Sequence, residues 1–236
     1  MPSKEIMVEG LGLVELVKRK NSRNIRLNVS PDGHVRVSLP TWAPYQAGLT
    51  FARSKADWIA SQRTHVKQVI LRNRQAVGKA HHLYFEPSAS SRSVSSRVKG
   101  SQIIVMYPSD LRETNASVQK AARLASIRAL RSDAEALIPK RLNVLALQGG
   151  FKYKSIQVKQ LKRRWGSCNS HKEIVINLFL VQFSWQIIDY VLWHELTHTK
   201  YLHHGEDFWD ELQRHVPNAK ALRRQMRELN TDVVSG

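Results

Sequence analysis

Two histidines and a glutamate in one short segment have the spacing of a catalytic metal site. The segment reads His194-Glu195-Leu196-Thr197-His198, which is the H-E-x-x-H pattern. On a helix, residues four apart lie about 40° apart around the axis and about 6 Å apart along it, so both imidazoles can bind one ion. Glu195 then points beside the ion. There a carboxylate can act as the base on metal-bound water, whose pKa zinc lowers to roughly 7.

A catalytic zinc also needs a third protein ligand and an open coordination position, and His204 is the first candidate for that ligand. On an unbroken helix it would lie about 240° round from His198, so the helix must end between the two. Gly205 is well placed to help the chain turn. The alternatives are the neighbouring histidine and three carboxylates of the next helix: His203, Glu206, Asp207 and Glu211. Three imidazoles favour zinc over manganese or cobalt.

The same pattern also occurs by chance, as a helix face with two exposed histidines. The surroundings favour a metal site. A helix from an N-cap at Ser184 to about Leu202 carries apolar residues before the pattern, namely Ile187, Ile188, Val191 and Leu192. The strongly apolar segment 174–180 precedes this helix and is expected to form a strand that lines a cleft as its edge.

Bulk composition indicates a folded protein in a reducing compartment. The chain has 236 residues, of which 42% are hydrophobic and 24% charged, enough for one large domain or two small ones. A single cysteine, Cys168, excludes an internal disulfide framework. No apolar run reaches the length of a membrane span, and residues 1–10 lack the features of a secretory signal. We therefore expect a cytoplasmic protein.

The charge is the unusual bulk feature. Lys and Arg number 37 against 19 Asp and Glu, which gives a formal net charge of +18. Such a field attracts polyanions, so nucleic acid or nucleotides are candidate partners in addition to a peptide or protein substrate. A basic surface that is simply solvated would explain the charge equally well. The oligomeric state does not follow from the sequence.

The first 110 residues are expected to form a β-rich module with helices. The alternating segments 24–29 and 35–39 predict an antiparallel hairpin whose turn is 30–33. A helix should begin near Pro44 and carry the periodic apolar residues from Trp58 to Ile70. Further short strands are predicted at 83–85, 93–98 and 102–107.

The composition changes near residue 110, and residues 111–236 are expected to form the metal-binding catalytic domain. Segment 115–147 predicts a helix that Pro139 kinks or splits and that Gly149-Gly150 ends. A strand at 153–161 and helices at 208–215 and 219–229 complete the prediction. The expected fold class is α+β: an N-terminal antiparallel β-rich module followed by an α+β lobe built around the metal-bearing helix.

Several segments together resemble the YgjP-like metal-dependent hydrolases, small cytoplasmic relatives of the zincin peptidases. The motifs are Arg164-Trp165-Gly166-Ser167-Cys168, Ile176-Asn177-Leu178, Asp189-Tyr190-Val191, the H-E-x-x-H, His204 and Phe208-Trp209. They cover residues 160–210 closely, and a weaker match includes the hairpin turn and Trp58-Ile59. The resemblance implies a zincin-like lobe with its third ligand at His204. The chain departs from the family at His203, which usually is not histidine, and near Ser184-Trp185, where the family often has a proline.

The leading expectation is a zinc metallopeptidase in which Glu195 activates the attacking water. One alternative is a metal-dependent nucleotide phosphohydrolase or pyrophosphatase, which the charge favours, although no Gly-rich phosphate loop or acidic cluster accompanies it. The other is a basic nucleic-acid-binding protein with a structural zinc, which predicts four closed ligands and no role for Glu195.

Other polar residues receive mainly structural interpretations. Cys168 is expected to be a buried small hydrophobe, and the histidines at 81 and 82 to be surface residues. Asp189 suits either support of a ligand histidine or the first turn of its helix. The sequence identifies neither the natural substrate nor the group that stabilises the oxyanion.

Overall fold

The computed structural model describes residues 3–20, 22–29, 33–65 and 70–229, with the side chains of 62–65 left out. Helices and strands are mixed throughout, which confirms the α+β class. Contacts divide the chain into two compact units, Met1–Gln68 and Val69–Gly236. Among the described residues, none of the helices combines the length and apolar character that a membrane span requires.

The first unit contains a four-stranded sheet followed by two helices. Its strands are β1 (Ser3–Val8), β2 (Gly12–Arg19), β3 (Arg26–Val29) and β4 (Val35–Pro40), in the order β1-β2-β4-β3. The predicted antiparallel pairing of β3 with β4 is confirmed, whereas β2 and β4 run parallel. The alternation places Val35, Val37 and Leu39 in the core with no exposed surface. Turn residues 30–32 lie outside the described part.

Helices α1 (Tyr45–Ser54) and α2 (Ala56–His65) follow this sheet in the same unit. Leu49, Ala52 and Ile59 from the two helices join the core under the strands. The predicted helical segment continues to Ile70, but residues 66–69 lie outside the described part.

The second unit begins with another four-stranded sheet of the same topology. It contains β5 (Ala76–Val77), β6 (His81–Ser88), β7 (Ser95–Lys99) and β8 (Gln102–Pro108), in the order β5-β6-β8-β7 with the central pair parallel. Its apolar face shares one core with the long helix that follows. For that reason the units divide between Gln68 and Val69, whereas the sequence analysis placed the boundary at residue 110.

Helix α3 (Ala116–Gly149) is one continuous helix of 34 residues. Asn115 caps it by accepting a hydrogen bond from the Ser117 amide at 2.9 Å, and Gly150 ends it in the left-handed conformation at φ 65°, as predicted. Pro139 does not split it, because the fully buried residues Ala134, Ile138 and Leu142 pack the helix before and after the proline.

A third sheet leads into the helices that carry the metal-site motif. It contains β9 (Ser155–Lys159), β10 (Gly166–Cys168) and β11 (Glu173–Asn177), in the order β10-β11-β9. A 3-10 helix (Leu178–Gln182), α4 (Trp185–Thr197), α5 (Glu206–His215) and α6 (Ala219–Glu228) follow. The apolar segment 174–180, predicted to be a cleft edge, instead forms most of the central strand β11 and the start of the 3-10 helix, which explains its hydrophobicity. The edge strands of this sheet are β10 and β9.

A buried polar contact fastens the second sheet to α3. Asp133 of α3 accepts hydrogen bonds from the amides of Lys79 and Ala80 at 3.0 and 3.3 Å, and its Oδ1 lies 3.1 Å from His81 Nδ1. His81 and Asp133 are 9% and 7% exposed, so this histidine is not the surface residue that the sequence suggested. The buried carboxylate thus accepts hydrogen bonds from two backbone amides and lies at ion-pair distance from the buried His81 side chain.

We expect Asp133→Ala to lower the free energy of unfolding by about 2 kcal/mol, because two backbone amides lose their acceptor and the buried His81 side chain loses its charged neighbour. Urea unfolding followed by circular dichroism measures this. The matched control is Glu135→Ala on the same helix, where a half-exposed carboxylate lies 3.8 Å from Arg131 and its removal should cost at most about 0.5 kcal/mol. Equal losses in the two variants would contradict the role given to Asp133.

Candidate metal centre

Helix α4 ends at Thr197, so His198 stands at its C-cap and the chain can turn back toward the helix. Two hydroxyl groups stabilise this end: Thr197 donates to the carbonyl of Trp193 at 2.8 Å, and Thr199 donates to that of Leu196 at 2.7 Å. Such side-chain bonds compete with continued helix. The helix is therefore shorter than the predicted one, which ran to about Leu202.

Three imidazoles converge beside this helix end. The candidate ligand atoms of His194, His198 and His204 all lie within 4.8 Å of one another. The Nε2 atoms of His194 and His204 are 3.1 Å apart. Within the described part of the chain, this is the one group of three or more such side chains, and it includes His204 and not His203. We call these three residues the histidine cluster.

The cluster rests on an aromatic side chain and one backbone contact. Phe208 at the start of α5 is fully buried, and its ring centre lies 4.9, 4.7 and 4.7 Å from those of His194, His198 and His204. His198 Nδ1 lies 3.0 Å from the carbonyl oxygen of Tyr201. Because Nδ1–H donates to that carbonyl, the lone pair of His198 is on Nε2, which leaves that atom able to bind a metal ion.

The pKa values of all three imidazoles are lowered. Burial is the first cause that lowers the pKa of His194 to about 3, and the charges of the other two histidines and of Arg223 add to it. The pKa values of His198 and His204 are also lowered, in each case mainly by burial. The side chains therefore present lone pairs at neutral pH, which is the form that binds a metal ion.

Glu195 faces the same space from within α4. It is 4% exposed, and its Oε2 has no hydrogen-bond partner among the described residues. Burial raises the pKa of Glu195 to about 8, against an opposing effect of Arg164. An isolated buried carboxyl group is costly unless a positive charge lies near it. With three neutral nitrogen donors beside it, the donor set fits a divalent metal such as zinc.

The carboxylates that the sequence offered as alternative ligands lie outside the histidine cluster. Glu211 binds Lys200 at 2.5 Å and Arg214 at 3.0 Å, so it joins α5 to the end of α4. The predicted alternatives Glu206 and Asp207 are exposed in the first turn of α5. None of these three carboxylates belongs to the group of possible metal ligands found among the described residues.

Asp189 and Cys168 also have structural surroundings. Arg141 of α3 donates two hydrogen bonds to Asp189, at 2.8 and 2.6 Å, so this carboxylate anchors α4 to α3. Cys168 is partly exposed rather than fully buried. Burial and the charge of Glu195 raise the pKa of its thiol to about 11, which keeps it protonated and weakly nucleophilic.

Strand β10 approaches Glu195 more closely than any side chain would allow. A Cβ atom on Gly166 would lie 2.5 Å from Glu195 Oε1 and 2.8 Å from its Cδ. The sequence analysis gave Arg164-Trp165-Gly166 only as part of a family motif and did not connect Gly166 with Glu195. The available signal was the glycine itself, because glycine within a strand often marks a close approach.

Asn177 at the end of β11 holds the segment that leads into β10. Its fully buried amide group donates to the carbonyls of Leu161 and Arg164, at 2.8 and 3.0 Å. Its Oδ1 accepts a hydrogen bond from the amide of Phe179 at 3.2 Å. One side chain therefore fixes the path of the chain just before Gly166.

We expect Asn177→Asp to lower the free energy of unfolding by about 3 kcal/mol, because an ionised carboxylate would face two carbonyl oxygens without water. Thermal and urea unfolding measure the loss. Asn218→Asp introduces the same change at an exposed position whose side chain makes no capping bond, and it should alter stability by less than about 0.5 kcal/mol. A tolerated Asn177→Asp would contradict the role of the amide.

Comparison with solved structures gives partial matches, two of which are described below, and no curated protein matches the chain by sequence. The metallopeptidase zymogen of Pyrococcus abyssi abylysin is 22% identical, with a TM-score of 0.36, over 39% of this chain and 95% of that one. The zymogen of Methanocaldococcus jannaschii jannalysin is 21% identical, with a TM-score of 0.35, over 39% and 94%.

A family model covers far more of the chain. The model of the YgjP-like metallopeptidase domain matches residues 23–229, which includes every residue of the histidine cluster and Glu195. This confirms the resemblance found in the sequence motifs. The chain belongs to the YgjP-like metallopeptidase family.

Proposed function

We propose that this protein is a zinc-dependent peptidase whose ion is held by His194, His198 and His204. The observation that carries the proposal is the convergence of three neutral imidazoles within 4.8 Å of one another, next to the buried and unpaired carboxyl group of Glu195. Membership of a metallopeptidase family implies a metal and a peptide substrate. Three protein ligands also leave the open position that a catalytic zinc needs.

In this proposal Glu195 is the general base. Bound zinc supplies Lewis-acid chemistry, polarising the scissile carbonyl and acidifying water. Glu195 accepts a proton from the attacking water and later donates it to the leaving amine. Its low exposure suits both steps, because a carboxylate with few competing hydrogen bonds is a stronger base than one in bulk water.

The edge strand β10 is the proposed docking edge for the peptide. β10 pairs with β11 on one side and is one of the two outer strands of its sheet. An extended peptide can add to such an edge through main-chain hydrogen bonds. Because Gly166 of β10 touches Glu195, a peptide on this edge would pass beside the base.

The two alternative functions have less support. A structural zinc takes four protein ligands, whereas the group found in the described residues offers three. A nucleotide phosphohydrolase using magnesium would need clustered carboxylates, and within the described residues the single candidate metal group is made of histidines. The net charge of +18 remains the observation that favours an anionic partner.

We expect His194→Ala to abolish both stoichiometric zinc binding and peptide hydrolysis, because one of three ligands is removed. Glu195→Gln should keep about one zinc per chain and lose at least about a hundred-fold in kcat, because the base is lost while the ligands remain. Elemental analysis and casein-peptide hydrolysis measure these effects, with nucleotide hydrolysis tested in parallel.

His203→Ala is the matched control, since His203 is exposed, adjacent to His204 and outside the cluster. It should retain zinc and activity. Wild-type protein that binds no zinc, or Glu195→Gln with full activity, would refute the proposed mechanism. Nucleotide hydrolysis without peptide hydrolysis would move the proposal to the phosphohydrolase alternative.

A second prediction concerns the close approach of β10. Gly166→Ala should keep zinc bound but lower kcat by about a hundred-fold, because the new Cβ must displace the Glu195 carboxylate by about an ångström. Ser167→Ala, the next residue on the same strand, adds no atom near Glu195 and should keep most of the activity. Zinc content and kcat together separate this effect from unfolding, and unchanged kcat in Gly166→Ala would contradict the contact.

A further inference from the structure

A small pocket opens directly beside Glu195 and His194. Its volume is about 200 Å³, and three parts of the second unit form its walls. Trp165 and Gly166 come from the start of β10, Tyr190 and Val191 from α4, and Met226 from α6. We call this the side-chain pocket. Because Glu195 and His194 also line it, anything inside it lies next to the reacting groups.

The walls of this pocket are apolar and held in place. Apart from Glu195 and His194, its lining consists of aromatic rings, Val191, Met226 and a glycine. Trp165 packs edge-on against Phe183 with ring centres 5.1 Å apart. Val191 and Met226 are 4% and 9% exposed, so they are fixed by the core on their other sides. A pocket of this kind is ready for an apolar group without rearrangement.

The size of the pocket indicates its occupant. Sites for whole small-molecule ligands usually measure roughly 300–1,000 Å³, so about 200 Å³ suits one amino-acid side chain. A peptide on the β10 edge would pass Gly166, which lines the pocket and packs directly against Glu195. The side chain that enters must therefore belong to a residue that flanks the bond being cleaved.

We propose that the side-chain pocket binds an apolar side chain of the substrate residue next to the scissile bond, and that Met226 sets the size it accepts. This inference rests on the proposed peptidase function and names its substrate class. An acidic side chain would meet Glu195 with no cation among the pocket's lining residues. An alanine would leave the pocket largely empty and bury little surface.

The first experiment measures cleavage of a peptide series by the zinc-loaded full chain. The peptides are identical except at the residue on either side of the scissile bond, which is Ala, Leu, Phe, Asp or Lys. We expect kcat/KM for Leu to exceed that for Ala and Asp by roughly ten-fold or more on one side of the bond, because a hydrophobic pocket discriminates at about that level.

Variants of Met226 test the pocket itself. Met226→Ala should enlarge it and raise the Phe-to-Leu ratio of kcat/KM about ten-fold, whereas Met226→Phe should fill it and lower that ratio by a similar factor. Leu222→Ala is the matched control: it removes a buried side chain from the same helix, is 3% exposed and does not line the pocket. The Phe-to-Leu ratio in Leu222→Ala should equal that of the wild type.

Binding without turnover separates this inference from the proposed function. Calorimetric titration of the zinc-loaded Glu195→Gln variant with the Leu and Asp peptides should show tighter binding of the Leu peptide, and Met226→Phe should remove the difference. If the wild type cleaves none of the peptides but this binding preference appears, the peptidase function fails and the pocket stands. Cleavage without an apolar preference, or a preference that Met226 variants leave unchanged, overturns the inference.

Discussion

The site depends on bringing three imidazoles together at the end of one helix. α4 supplies two of them, but the third can join only because α4 ends at Thr197 and the chain returns before α5 begins at Glu206. Phe208 then packs against all three rings at centre distances of 4.7 to 4.9 Å. This apolar support also explains the lowered histidine pKa values, because it removes water from the protonated forms.

Placing a carboxyl group next to this cluster is costly, and the surrounding structure is built to hold it there. Glu195 gains no hydrogen bond to Oε2 from the described residues, and burial raises its pKa to about 8. Gly166 packs against it, and Asn177 holds the chain that leads to Gly166. Residues far apart in sequence thus fix one carboxyl group in a position that a bound cation would favour.

The long helix α3 provides the frame for these contacts. Arg141 binds Asp189 at the start of α4 through two hydrogen bonds, and Asp133 fastens the sheet of β5 to β8 on another part of the same helix. Both anchors are side chains of one helix, so the position of α4 is set by a core that extends well beyond the histidine cluster. The second sheet therefore belongs to the same compact unit as the cluster.

The sequence alone determined the family, the α+β class and the residues of the motif, because the spacing in H-E-x-x-H and the capping signals of α3 act over only a few residues. It could not decide whether Pro139 splits a helix or which strand forms an edge, because distant packing settles both. Three features of the site likewise depend on the tertiary structure. They are the choice of His204 over His203, the approach of Gly166 to Glu195, and the wall that Met226 adds to the pocket. These contacts join segments whose separation along the chain leaves no periodic pattern in the sequence.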